Sequence, residues 1–140
     1  MTRKHFGALM TLIVACTLAV PMIHAQTIMR ADVPFAFSVD GKYLPAGTYQ
    51  IRELDSRATL ISNQDGHFNV LGIYAYAGPS KADENKLVFD KVGDHYFLRQ
   101  IWTSARDQGL AVPESKLEKE MEASNLGTAG GAEIVIVALR

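Results

Sequence analysis

Residues 33–52 read VPFAFSVDGKYLPAGTYQIR, an apolar alternation interrupted every few residues by a turn. Phe35, Phe37 and Val39 alternate with Ala36 and Ser38, giving the one-sided apolar face, of period two, that marks a half-buried strand. Asp40-Gly41 supplies the positive φ angles of a two-residue hairpin, and Lys42-Tyr43-Leu44 answers as the return strand. Pro34 has no N–H to give to a ladder, so this strand begins there or lies at an edge. Pro45-Ala46-Gly47 makes the next turn, and Thr48 to Arg52 the next strand.

The same alternation of strand and turn runs outward from this stretch. Ala58 to Ser62 is a short strand closed by Asn63-Gln64-Asp65-Gly66. His67 to Ala77 reads as one strand whose second half is apolar on both sides, which predicts a central place in a sheet, with Gly72 as a bulge. Gly78 to Asn85 is a polar connection. Lys86 to Val92 and His95 to Ser104 form a second hairpin about Gly93-Asp94. One helix is predicted: Ser115-Lys116-Leu117-Glu118 has the capping-box form, and Leu117 and Met121, one turn apart, are expected to dock it on the sheet before it ends near Asn125. After the glycine-rich loop at 127–131, Ile134-Val135-Ile136-Val137-Ala138-Leu139 is the strongest β-former and is expected as an interior strand near 133–139. The fold class is mainly β: a single antiparallel sandwich or small barrel of about seven or eight strands, with one short C-terminal helix. An outer-membrane barrel needs strands of ~9 to 11 residues, longer than those before Ser62.

The first 25 residues have a different character. Arg3, Lys4 and His5 precede an uncharged run from Phe6 to Val20, followed by Pro21 to Ala25, the layout of a secretory signal peptide cleaved after Ala25. Fifteen apolar residues fall short of the ~20 that a membrane-crossing helix needs, so no stable span is expected after cleavage. The alternative at this end is a lipid anchor at Cys16, since Ile13-Val14-Ala15-Cys16 loosely fits a lipoprotein cleavage site; the apolar run continuing to Ile23 argues against it. Cleavage after Ala25 leaves 115 of the 140 residues, 26–140, as one β-rich domain without cysteine, hence without a disulfide, secreted or periplasmic. Losing Arg3 and Lys4 leaves 12 basic against 15 acidic residues, a net charge of −3, which disfavours nucleic acid as a partner.

Catalytic signals are sparse. No nucleophile elbow, phosphate-binding glycine loop or paired-histidine helix occurs. His67 and His95, with Asp65 or Asp94, are too few and too turn-like for a zinc centre, so neither metal nor other cofactor is expected. The composition favours a non-catalytic module of the cell envelope, structural or binding an envelope protein or small ligand; the rival is a small envelope hydrolase working through Asp65, Asp90 and Asp94. Strand alternation puts Tyr96, Leu98, Gln100 and Trp102 on one face and Arg99 on the other, so Tyr96, Arg99 and Trp102 are the candidate binding residues of a polar-aromatic surface for sugar or peptide. The favoured reading places Trp102 in the core with Tyr96 and Leu98.

Three segments carry a resemblance: Asp32-Val33-Pro34-Phe35-Ala36-Phe37, then Leu44-Pro45-Ala46-Gly47-Thr48-Tyr49, then Gly93 to Trp102 together with Pro113 to Glu118. From Asp32 to Met121 the chain resembles a family of small secreted bacterial β-rich proteins without an assigned activity. The resemblance implies a signal peptide and a mostly β domain, and it carries over no functional residue. The glycine-rich stretch after Asn125 departs from it.

Overall fold

The computed structural model describes residues 28–79, 84–125 and 132–140. The expected signal peptide, most of the polar connection after Gly78 and the glycine-rich loop lie outside them. Eleven strands and one helix occur among the described residues, in two sheets facing each other as a sandwich and not closed into a barrel.

The smaller sheet is fully antiparallel. It has the order β1 (Ile28–Val33), β4 (Gly47–Glu53), β5 (Ala58–Asn63), β6 (Asn69–Ile73). The larger runs β11 (Glu133–Ala138), β8 (Lys86–Val92), β9 (His95–Trp102), β10 (Gln108–Ala111), β7 (Ala75–Pro79). β2 (Phe37–Val39) joins the larger sheet by pairing antiparallel with β3 (Lys42–Leu44) and, in parallel, with β9 at Ser38 and Phe97.

Three strands exceed the expected eight. Pro34 breaks the first alternation, leaving β1 before it and β2 after it. His67 to Ala77 divides at Tyr74, and 108–111 adds β10. The two hairpins fall where the turn chemistry requires them. Asp40 (φ 51°) and Gly41 (φ 74°) lie in the left-handed region between Val39 and its partner Lys42, and Gly93 (φ 62°) serves the turn between Val92 and His95.

Phe37 sits between the sheets, edge-on to Tyr49 of β4 (5.1 Å) and to Phe89 of β8 (5.3 Å). Ile51 and Ile61 from one sheet and Leu98 and Ile101 from the other complete this core. The Tyr49 hydroxyl donates to the Pro45 carbonyl at 2.6 Å, so the buried phenol leaves no proton unused. At one end the sheets are tied by Glu53, whose Oε1 accepts from the Thr103 hydroxyl (2.7 Å) and lies 2.8 Å from Arg106 Nε; that guanidinium also donates to the carbonyls of Asp55 and Ser56.

Several expectations are corrected. The segment 71–77 is not central: β6 and β7 are the edges of the two sheets, joined through Tyr74, and Leu71, Ile73 and Tyr76 are exposed. Gly72 makes no bulge; β5 and β6 pair without a shift, and a Cβ at this position would overlap the Tyr74 ring folded over it. β11 is not interior either. It pairs with β8 alone in its sheet, and its outward residues Ile134 and Ile136 are 66% and 60% exposed while Val135, Val137 and Leu139 pack against the core.

Candidate functional site

The outer face of the larger sheet carries the polar constellation of the molecule, and a bulge creates it. Val88 pairs with Gln100 and Phe89 with Leu98, so Arg99 is an extra residue in β9. Such an insertion resets the alternation. Leu98 and Ile101 therefore both face the core, whereas Arg99, Gln100 and Trp102 share the outside. The simple alternation expected for 95–103 fails at this residue.

Across this face lies α1 (Lys116–Asn125). Its start is the predicted capping box: Glu118 N–H donates to Ser115 Oγ (3.2 Å), and Ser115 N–H donates to Glu118 Oε2 (3.3 Å). The face it presents is not the expected one. Leu117 is 54% exposed and Met121 half-buried, whereas Glu118 is only 3% exposed. Glu118 and Glu122, four residues apart, share the helix side turned to the sheet, with Glu114 just before the helix.

Arg99 receives them. Its Nε donates to Asp90 Oδ2 at 2.9 Å and its Nη2 to Glu114 Oε1 at 2.6 Å, while Nη1 lies 3.5 Å from Glu118 Oε1, an ion pair longer than a charge-assisted hydrogen bond. Burial alone would lower the guanidinium pKa, but the hydrogen bond it donates to Glu114 and the charges of Glu118, Glu114 and Asp90 outweigh it and the net shift is upward. Burial raises the Glu118 pKa, against the pull of Arg99 and of the Ser115 N–H. Carboxylate oxygens of Asp90, Glu118 and Glu122 lie within 4.8 Å of one another.

Trp102 lies beyond this cluster, half-buried on the outside and not in the core. Its ring covers Gly109, where a Cβ would approach Cε3 to 2.7 Å; Nε1 donates to Gln100 Oε1 (2.9 Å), and Lys86 Nζ stands 5.6 Å from the ring centre. Tyr96 is separated from both. It stacks on Phe35 at 3.9 Å against the edge of the core. Of the three candidate binding residues, the fold thus brings Arg99 and Trp102 to one face and turns Tyr96 away.

The other polar candidates stay apart. Asp65 and His67 belong to the β5–β6 connection of the smaller sheet, Asp94 and His95 to the β8–β9 hairpin of the larger, and all four are exposed. Asp90 is held by Arg99. Sequence reasoning missed Glu114, Glu118 and Glu122 as a group, although their spacing of four was the available signal.

The second feature is a cleft of about 560 Å³ between two sheet edges, lined by Arg30 and Asp32 of β1 and by Val137, Ala138 and Arg140 at the end of β11. The edges meet where Arg30 and Arg140 exchange both backbone hydrogen bonds (2.8 and 2.9 Å). Leu139 N–H points the other way, to Asn85 beside β8, so alternation turns the N–H and C=O groups of Ile134, Ile136 and Ala138 away from β8. No protein-family model, no curated protein and no solved structure matches this chain.

Proposed function

We propose that this chain is a non-catalytic module of the bacterial cell envelope, secreted or periplasmic, that works by binding a partner along the free side of β11. The observation that carries this reading is the edge itself. Ile134 and Ile136 are exposed, no charge or proline interrupts 134–138, and among the described residues only Arg140 has its outward backbone groups paired. Natural sheets usually blunt such an edge with charge, proline or a cover, because an extended segment adds to it through main-chain hydrogen bonds. The leader-like first 25 residues and the resemblance to small secreted bacterial proteins support the compartment.

The test is a photo-crosslinking amino acid placed at Ile136 or, as control, at Lys42 in the β2–β3 hairpin, with cells expressing the full chain fractionated after irradiation. A discrete adduct from Ile136 alone, in the periplasmic or secreted fraction, is expected. Adducts equal at both positions, or a chain retained in the cytoplasm, would contradict the proposal.

A further inference from the structure

The cleft between β1 and β11 is closed at one end, and that end is positively charged. Arg30 and Arg140 exchange both backbone hydrogen bonds (2.8 and 2.9 Å), the narrow pair of an antiparallel ladder, so their side chains stand directly opposite each other on one face. Like charges so placed destabilise a sheet unless an anion meets them. Among the described residues no carboxylate oxygen comes within 4 Å of either guanidinium. Asp32, the one acid lining the cleft, accepts the Thr48 hydroxyl at 2.7 Å instead. Ala138 belongs both to this cleft and to the open edge of β11, so a chain laid along that edge is led to the two arginines.

We infer that the partner of β11 is the C-terminal tail of another protein, lying parallel to β11 with its terminal carboxylate held by Arg30 and Arg140. The inference rests on the proposal that β11 binds through its free edge, and it supplies the chemistry of what binds. A segment paired with Ile134, Ile136 and Ala138 reaches the Arg30–Arg140 pair at the end of the edge, where β1 already occupies the next hydrogen-bonding position. It must end or turn away there. Two unmatched cations at that point favour an end and select which one: a carboxylate accepts charge-assisted hydrogen bonds from both guanidiniums, whereas an N-terminal ammonium is repelled. The carboxylate also fixes the direction. β11 runs from Glu133 toward Arg140, so a tail whose last residue arrives at the same end runs parallel to it. The stretch from Ile134 to Ala138 takes about five residues of extended chain at roughly 3.3 Å each. Alternate side chains of the tail then fall beside Ile134 and Ile136, 66% and 60% exposed, and are apolar. Strand addition supplies the affinity, and capture of the terminal carboxylate supplies the register.

The test titrates the isotope-labelled protein, at constant ionic strength, with the acetylated hexapeptide Ser-Val-Thr-Ile-Thr-Val bearing a free terminal carboxylate, and with the same peptide as its C-terminal amide. Amide resonances are followed by NMR. The carboxylate form is expected to bind saturably, shifting the amides of Ile134, Ile136 and Ala138, and the amide form to bind at least tenfold more weakly. Arg30→Gln and Arg140→Gln are each expected to remove that preference with an unchanged circular dichroism spectrum, while Lys42→Gln, in the exposed β2–β3 hairpin, keeps it. Equal affinity for the two peptides, with shifts at the same three amides, overturns the carboxylate and leaves edge binding intact. Saturable binding of neither peptide overturns the inference, whereas edge binding itself stands or falls by the adduct at Ile136. Mass-spectrometric mapping of that adduct adds a second reading: attachment within the last few residues of the partner supports the inference, and attachment to an internal segment overturns it.

Discussion

Tyr74 sits where the chain passes from one sheet to the other, 2% exposed, with a hydroxyl that has no hydrogen-bond partner. Burial, with a smaller push from Asp40, raises its pKa to about 12. The phenolate is therefore favoured in the unfolded chain, and stability is lost as pH climbs from the ordinary value of 10 toward about 12. Tyr74→Phe removes the group. It is expected to leave neutral-pH stability unchanged or raise it by about 1 kcal/mol, and to flatten the alkaline fall of Tm between about pH 10 and 12; an equal alkaline fall in both proteins would contradict this. At this scale the sequence reveals what depends on a few neighbours. Asp40-Gly41 is legible because a two-residue hairpin imposes its own φ angles. Trp102 is not, because the inserted Arg99 reverses the facing of every residue beyond it, and that insertion exists only in the pairing of β9 with β8.

The helix shows the same division one level up. Its capping box needs only Ser115 and Glu118, and both hydrogen bonds form. Its docking face is not legible in the same way: Leu117 and Met121 predict an apolar face, whereas Leu117 stays exposed and the helix turns Glu118 and Glu122 to the sheet beside a half-buried Met121, with Arg99 facing them. The two contributions separate by mutation. Ser115→Ala removes one cap and is expected to cost about 1 kcal/mol. Arg99→Ala leaves Glu118 buried beside Asp90 and Glu114 without its cation, and is expected to cost about 3–5 kcal/mol in urea unfolding, with loss of helical dichroism. Similar costs for the two variants would show that the helix is held by something other than this ion cluster. The position of β11 differs from expectation for a related reason. A strand of Ile, Val and Ala reads as buried on both faces, but with β8 paired on one side and β1 hydrogen-bonded on the other only at Arg140, its outer face stays in water.

At the scale of the molecule, strand content and turns are written locally, while the assignment of strands to sheets depends on contacts far apart in sequence. Arg30 with Arg140 joins the two sheets at one edge, and Glu53 with Thr103 and Arg106 ties them at one end; neither pairing carries a local signal. Those ties hold a sandwich open along the free side of β11, and the proposed function depends on that opening. Residue-resolved amide hydrogen exchange of the purified protein measures it directly. The amides of Val135, Val137 and Leu139, turned toward β8 and Asn85, are predicted to be protected by orders of magnitude, while those of Ile134, Ile136 and Ala138 exchange freely. Uniform protection from 134 to 138 in the isolated chain would mean that this strand already has a neighbour on both sides, and would contradict the open edge on which the account rests.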